Sequence, residues 1–293
     1  MSQQLTCNVC EKTSPVSGCE TAVVRSNVRK FRDEKFELWR CPACRCIHAT
    51  HAVDLPHYYA SYPTYPPEVE PRLRAPYQGM LNRLVESGLQ KHHRILDYGC
   101  GGGVLVRFLR ASGYEHTYGF DPYTPAFSDR KVLDERYDCV VSQDVIEHVD
   151  SPIELLRTFD RLAVPGGLVS IGTPDAAAID LADPEDFVHA LHAPYHRHIL
   201  THDKLQGLAQ SVGWRVVHYY STMYGNRMAP GENTRFGVHY LRCHDDCLDL
   251  LTEPVSLKSW RLLLSPETPF FFLFGYFFDR HTDITFTFRT RDS

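Results

Sequence analysis

Three groups of side chains in this sequence have the types and spacing to do chemistry. Cys7-Asn8-Val9-Cys10 and Cys41-Pro42-Ala43-Cys44 are paired thiols at metal-knuckle spacing. Asp97 stands just before a glycine cluster in LDYGCGGG (Leu96 to Gly103), and a second carboxylate, Asp121, follows in GFDP. His189, His192, His196 and His198 crowd into HALHAPYHRHILT, where imidazole near neutral pH is suited to taking a proton from a hydroxyl.

Two CxxC knuckles bring four thiolates to the corners of one tetrahedron, so Cys7, Cys10, Cys41 and Cys44 are expected to hold a structural zinc ion. The stretch between the knuckles, ending in FELWRC, reads as strands that fold them together. About fifty residues with few large aliphatic side chains bury too little to fold alone, and metal binding would supply that energy. The competing reading is a set of redox-active or unliganded thiols. Cys19 and Cys46 stand nearby as substitute ligands, and Cys46 is read as a packed thiol. A shell closed by four thiolates leaves no open coordination position, so this segment is a scaffold or a recognition surface.

The ligand of LDYGCGGG follows from what stands beside the glycines. A P-loop needs Gly-Lys-Ser/Thr, and Gly103 is followed by Val104 and Leu105, which excludes a nucleoside triphosphate. A dinucleotide fingerprint needs a third glycine where Val104 stands, and Asp97 would repel a diphosphate. S-adenosylmethionine carries an ammonium and a sulfonium and no phosphate. Asp97 suits its methionine end, and Asp121, accepting from two ribose hydroxyls, suits its nucleoside end.

These groups must be positioned by a strand, turn, helix, strand unit. RILDYG reads as its first strand, Val104, Leu105, Phe108 and Leu109 give one helical face closed by Gly113, and HTYGFD ends the second strand at Asp121. Upstream, Tyr77, Met80, Leu81, Leu84 and Val85 repeat at helical spacing before Gly88, after a Tyr- and Pro-rich linker, HYYASYPTYPPEVEPRLRAP, that lies across the next domain. Downstream, Thr201 caps a helix through Leu205, Leu208, Ala209 and Val212, WRVVHYYS reads as a strand, and DITFTFRT has the alternation of a last strand.

LDYGCGGG resembles the DxGCGxG motif of class I S-adenosylmethionine-dependent methyltransferases, and three later stretches match that family in order. GFDP (Gly119 to Pro122) resembles the acidic second-strand motif, YDCVVSQDVIEHV (Tyr137 to Val149) the fourth strand and its turn, and LAVPGGLVSIGTP (Leu162 to Pro174) the LxPGG turn and fifth strand. The resemblance covers roughly Arg94 to Tyr220. With its N-terminal CxxC pairs the chain is also similar to bacterial small-molecule and sugar methyltransferases.

The resemblance implies an α/β fold: a Rossmann-like sheet of seven strands, the last antiparallel, with the zinc ribbon in front and a helical insertion before the last strand. It implies S-adenosylmethionine held by Asp97, Gly99, Cys100, Gly101, Asp121, Pro122, Gln143 and Asp144. Methyl transfer to a hydroxyl then needs a base beyond the fourth and fifth strands; His196 and His198 are favoured, with His148 a further candidate. By the similar ExxEH arrangement of ubiquinone-pathway O-methyltransferases and small-RNA 2′-O-methyltransferases, Asp144, Glu147 and His148, with a histidine of the later loop, would bind a divalent cation (Mg, Mn or Zn). The plainer reading has Glu147 and His148 bracing their own turn. Only 15 residues separate Asp121 from Tyr137, too few for the family's usual helix, third strand and return. The adenine-recognising residue is therefore not carried over, and Pro122 and Tyr123 are left as flanks.

The 293 residues divide into an expected ribbon at 1–52, a linker and leading helix at 53–92, and a methyltransferase domain at 93–293 with an insertion at about 223–281. A formal charge of -5 gives no general attraction to a polyanion, so the expected partner is a small-molecule acceptor and not nucleic acid. There is no basic-then-apolar leader and no run of about 18 apolar residues, so the expectation is a cytoplasmic protein with no membrane span. FFFLFGYFF (Phe270 to Phe278) is read as a buried or subunit-interface segment against a membrane-surface contact, and the insertion as a substrate lid or a homodimer contact. Cys243 and Cys247, beside His239 and His244, are read as packed thiols and solvated histidines. The expected function is methylation of a hydroxyl on a sugar or secondary metabolite. Its rivals are an RNA methyltransferase that reads RNA with the ribbon, and a non-catalytic binding protein on the cofactor fold.

Overall fold

The computed structural model describes residues 4–63, 71–255 and 259–292, so part of the Tyr/Pro linker lies outside the described residues. Strands β1 (Gln4–Thr6) and β2 (Thr13–Pro15) pair antiparallel, and the turn between them carries Cys7 and Cys10. Strands β3 (Glu20–Arg25), β4 (Lys35–Arg40) and β5 (Ile47–Ala49) form an antiparallel meander, with Cys41 and Cys44 in its last turn. A short strand from far along the chain, His198–Ile199, completes this sheet by pairing with β5, His198 opposite His48 and Ile199 opposite Ile47.

The ribbon's apolar side chains are buried against later parts of the chain. Val24, Leu38 and Ile47 share one cluster with Ile179, Leu181, Val188 and Leu191. The buried Arg40 guanidinium donates to the carbonyls of Ala176 (2.7 Å) and Ile179 (2.6 Å). At roughly 1.5–3 kcal/mol per fully buried aliphatic side chain, a shared core offers a small sheet more than it could gather alone.

Helix α1 (Leu55–Tyr59) follows, with proline in its first turn, then α2 (Pro71–Glu86). Strand β6 (Ile95–Tyr98) leads through the glycine turn into α3 (Val104–Ala111) and β7 (Thr117–Phe120). Val104, Leu105, Phe108 and Leu109 are buried as their spacing requires, the last three in a cluster with Met80, Leu81 and Leu84 of α2, whereas Val85 of the same expected stripe is 46% exposed. Then come β8 (Tyr137–Gln143), α4 (Pro152–Leu162), β9 (Ala163–Pro174), α5 (Val188–Leu191), β10 (the His198–Ile199 strand), α6 (His202–Ser211) and β11 (Arg215–Tyr220). Ser151 and Thr201 cap α4 and α6 by accepting from the backbone N–H groups of Glu154 and Lys204.

The main sheet has the order β11-β12-β9-β8-β6-β7, where β12 is Asp283–Arg289. Four strands are parallel, and β12 runs antiparallel between β9 and β11. The expected Rossmann-like arrangement with a returning last strand is present. The expected count of seven is corrected to six among the described residues. The interval after Asp121 holds two 3-10 turns, Pro125–Phe127 and Arg130–Asp134, in place of a crossover and strand, because a parallel crossover alone takes a dozen or so residues.

The insertion is helical: α7 (Thr234–Arg242), α8 (Trp260–Leu264) and α9 (Glu267–Phe274). Phe271 is buried, but Phe270, Phe272, Leu273, Phe274, Phe277 and Phe278 are exposed, so within one chain this segment is not the buried one that was expected. Among the described residues no helix is long and apolar enough to cross a membrane. Nε2 of His239 is shared between the Thr268 hydroxyl (2.9 Å) and the buried Cys243 thiol (3.5 Å), so Cys243 is packed as expected while His239, expected in solvent, is buried beside it.

Candidate functional site

The thiols of Cys7, Cys10, Cys41 and Cys44 lie within 4.8 Å of one another. Sγ of Cys7 is 3.5 Å from that of Cys44, and Sγ of Cys10 is 3.7 Å from that of Cys41. A tetrahedral zinc with bonds of about 2.3 Å sets its sulfurs about 3.8 Å apart, so the four residues fit the ion. Cys46 is buried with its thiol turned to the Cys44 carbonyl, and Cys19 meets the Pro15 carbonyl. Neither belongs to the group. Nε2 of buried His48 lies 3.2 Å from Cys7 Sγ, where an N–H would support a thiolate.

At the carboxyl ends of β6 and β7, the glycine turn has left-handed backbone at Gly99 (φ 82°), Gly101 (φ 48°) and Gly103 (φ 73°). A Cβ at Gly99 would collide with Val145, and one at Gly103 with the Phe127 ring. The Gly101 N–H donates to Asp121 Oδ2 (3.0 Å) and the Tyr123 N–H to Asp121 Oδ1 (2.8 Å), so Asp121 is fixed against the turn with lone pairs to spare. Asp97 is buried beneath it, and burial together with the Asp121 charge pushes its carboxyl up to about 7. Cys100 packs its thiol over Gly119, facing the sheet. Pro122 lies on the exposed rim between Asp121 and Tyr123.

Gln143 ends β8 with its side chain laid on Gly172, and its Nε2 is buried without a hydrogen-bond partner. The next residue, Asp144, has φ 53° and donates its N–H to the Gly172 carbonyl (3.0 Å). The residue is exposed, and desolvation by the surrounding protein with the Asp283 charge pushes its carboxyl up to about 7. Asp283 itself is pushed up to about 6 by burial. An acidic cleft with an unpaired amide donor fits a cationic amino-acid ligand better than a phosphate.

The 3-10 turn Ile146–His148 presents Glu147 and His148, and the loop after α5 brings His196 to them; the three offer ligand atoms within 4.8 Å of one another. Asp144, expected with Glu147 and His148, is not in this group, and His196 is the loop histidine that joins them. His148 Nδ1 lies 3.0 Å from the Tyr195 carbonyl and His196 Nδ1 lies 2.9 Å from the Ala190 carbonyl. A carbonyl only accepts, so both Nδ1 atoms carry hydrogen and both Nε2 atoms keep lone pairs. Glu147 is fully buried; its Oε2 accepts from the Thr173 hydroxyl (2.9 Å), while Oε1 has no hydrogen-bond partner and lies 3.7 Å from His196 Nε2. Burial and the Asp144 charge hold this carboxyl well above the usual range. Burial also pushes His148 down to about 4 and His196 well below its ordinary value.

His198 turns to the ribbon side. Its Nδ1 lies 3.3 Å from Asn8 Nδ2, inside the first knuckle, and burial with the nearby His48 pushes it down to about 3. His192 and His189 are tied to Asn27 of the ribbon, His192 Nδ1 to Oδ1 (2.7 Å) and His189 Nδ1 to Nδ2 (3.2 Å). Sequence reasoning did not single out Tyr59, Thr173 or Tyr195. The tyrosines of HYYASY were visible, but 89 residues separate Tyr59 from the His148 ring it touches.

A family model described as "Methyltransferase domain" matches residues 70–219. A ubiquinone biosynthesis O-methyltransferase from Caulobacter sp. is 32% identical over 101 residues, covering 27% of this chain and 40% of that protein. One from Colwellia psychrerythraea is 24% identical over 185 residues, covering 51% and 72%. The chain spans about two fifths of the length of the first curated relatives it matches. Among solved structures, phosphoethanolamine N-methyltransferase 2 from Haemonchus contortus, in complex with S-adenosyl-L-methionine, has TM-score 0.46 at 16% identity, covering 74% of this chain and 52% of that one. The cyclopropane synthase MmaA2 from Mycobacterium tuberculosis has TM-score 0.46 at 16% identity, covering 73% and 83%. With half of its length matched by that family model and the glycine turn, acidic second strand and fourth-strand turn all assembled at one end of the sheet, the chain belongs to the class I S-adenosylmethionine-dependent methyltransferases.

Proposed function

We propose that this chain methylates a hydroxyl of a small-molecule acceptor, a sugar or a secondary metabolite bearing neighbouring hydroxyls, at the Glu147, His148 and His196 group. The observation that carries this reading is the buried Glu147 Oε1 without a hydrogen-bond partner, set beside two imidazoles whose Nε2 lone pairs remain available. A base acting alone does not need a buried, unpaired carboxylate oxygen, whereas mixed carboxylate and imidazole donors suit a divalent cation. Such a cation supplies Lewis acidity toward an acceptor oxygen. S-adenosylmethionine supplies a methyl group already activated by its sulfonium. Asp121 accepts from the ribose hydroxyls, Asp97 and the Gln143 amide meet the methionine end, and the surrounding wall limits water. O-methylation is also supported by the names of the curated relatives. Self-association through the insertion belongs to the same reading.

The test is transfer of labelled methyl from S-adenosylmethionine to a panel of catechols and methyl glycosides, before and after a chelator mild enough to spare the thiolate zinc. The expected result is transfer to a vicinal diol, lost on chelation, restored by Mg or Mn, and reduced at least a hundredfold by Glu147→Ala or His196→Ala. Full activity after chelation sends the proton directly to His148 or His196; full activity in both variants removes this group from the reaction.

A further inference from the structure

We propose that Tyr59 is a positioning residue that joins the two ends of the site, its ring stacked on the cofactor turn and its hydroxyl oxygen holding the imidazole of His148. The proposal rests on the reading of Glu147, His148 and His196 given above. The Tyr59 and Tyr123 rings stack with centroids 4.7 Å apart and planes 12° from parallel. Tyr123 is tied to the nucleoside end of the cleft, because its N–H is the donor to Asp121 Oδ1. On its other side, the Tyr59 hydroxyl lies 2.9 Å from His148 Nδ1. That nitrogen carries a hydrogen for the Tyr195 carbonyl, so Tyr59 oxygen is the second acceptor of a shared N–H.

The consequence is a fixed tautomer with a fixed ring. Two acceptors on one side of His148 keep hydrogen on Nδ1 and leave the Nε2 lone pair free, in a ring whose centroid is 4.8 Å from that of His196. Tyr59 is itself held by edge-on contact with buried Tyr195 (5.3 Å) and by Tyr62 (5.6 Å). A ligand that orders the Asp121–Tyr123 turn therefore orders Tyr59, and with it the imidazole that would hold a cation. Cofactor and cation binding are coupled through one side chain supplied by the segment that follows the ribbon.

The experiment titrates S-adenosylhomocysteine and Mn2+, separately and together, into the full-length zinc-loaded chain by calorimetry, for wild type, Tyr59→Phe, Tyr59→Ala and Tyr123→Ala. In wild type each ligand is expected to raise the affinity of the other by the same factor, as linkage requires. Tyr59→Phe keeps the stack, so its S-adenosylhomocysteine affinity stays within twofold of wild type while Mn2+ affinity falls about five- to tenfold. Tyr59→Ala and Tyr123→Ala lose about three- to tenfold in S-adenosylhomocysteine affinity and abolish the coupling. Wild-type Mn2+ affinity in Tyr59→Phe, or wild-type S-adenosylhomocysteine affinity in both alanine variants, overturns the proposal. If wild type takes up no Mn2+ beyond the zinc, the cation reading fails and Tyr59 is judged by the nucleoside alone. Should Tyr59→Ala not fold, Tyr123→Ala removes the same stack from the other side.

Discussion

A single carboxylate shows how environment sets chemistry here. Asp97 sits under the glycine turn, where burial first and the Asp121 charge second push it up to about 7. In an unfolded chain an aspartate titrates near 3.9. Between those values the folded apo-protein binds a proton that the unfolded chain does not, so this contribution to stability is present below about pH 4 and lost as pH rises through about 7. Asp144 and Asp283, raised to about 7 and about 6, act with the same sign. With Asp97 at the methionine end as proposed, the cationic cofactor would reverse the preference, because it is drawn to the ionised carboxylate. Apo-protein melting temperature is expected to fall from about pH 5 to pH 8 while affinity for S-adenosylmethionine rises over the same range. Asp97→Asn should flatten both curves and weaken cofactor binding at least tenfold, which calorimetry across pH would show. A variant with the wild-type pH profile would remove Asp97 from the cofactor site.

At the scale of elements, the ribbon grips the histidine loop. The Arg197 N–H donates to the Glu147 carbonyl (2.9 Å) while the Arg197 carbonyl accepts from Ala49 of β5 (3.0 Å), so one residue links the Glu147–His148 turn to the ribbon sheet. Asn8, between the cysteines of the first knuckle, donates to the Asp150 carbonyl (3.0 Å) just beyond that turn. The β5–β10 pairing sets His198 opposite His48, which in turn reaches Cys7. Opening the four-cysteine cluster would release these ties together. Cys41→Ser, or removal of zinc with a strong chelator, should speed amide exchange across 195–199 and 146–150 at least tenfold, a loss of about 1.4 kcal/mol of local stability. Exchange in α3, on the far side of the sheet from these ties, should change little. Unaltered exchange in the loop would mean that the ribbon does not brace it.

At the scale of the whole molecule, the helical insertion leaves many large apolar side chains exposed among the described residues. Trp260, Leu263, Leu264, Phe270, Phe272, Leu273, Phe274, Phe277 and Phe278 are between 41% and 75% exposed. With aromatic side chains offering 150–250 Å² each, this is on the order of 1,000 Å² of apolar surface, above the few hundred usual for a monomer. It also exceeds the roughly 800 Å² per partner of a stable interface. Residues 223–281 contain seven carboxylates and six basic side chains, a mixed rim that suits a second copy and offers no basic excess to an anionic bilayer. Light scattering should find a dimer at micromolar concentration, and Leu264→Glu with Phe277→Glu should give a monomer that still binds S-adenosylhomocysteine. A wild-type chain that is monomeric throughout would refute this.

What the sequence determined by itself is what short stretches of chain control. Four cysteines in two knuckles, three left-handed glycines between a strand and a helix, and carboxylates at the ends of successive strands are set by spacing over a few residues. Even the missing third strand was legible, because 15 residues between Asp121 and Tyr137 cannot hold a crossover and a strand. Tertiary structure alone decided which of the polar groups meet. It joined His196 to Glu147 and His148 and left Asp144 out of that group, turned His198 toward Asn8, and brought Tyr59 onto His148 from 89 residues away. His196 and His198 face different neighbours because His196 lies before the two-residue strand, its Nδ1 held by the Ala190 carbonyl, whereas His198 lies within it, opposite His48 of the ribbon. That pairing depends on buried contacts made across the chain, and no local spacing encodes it.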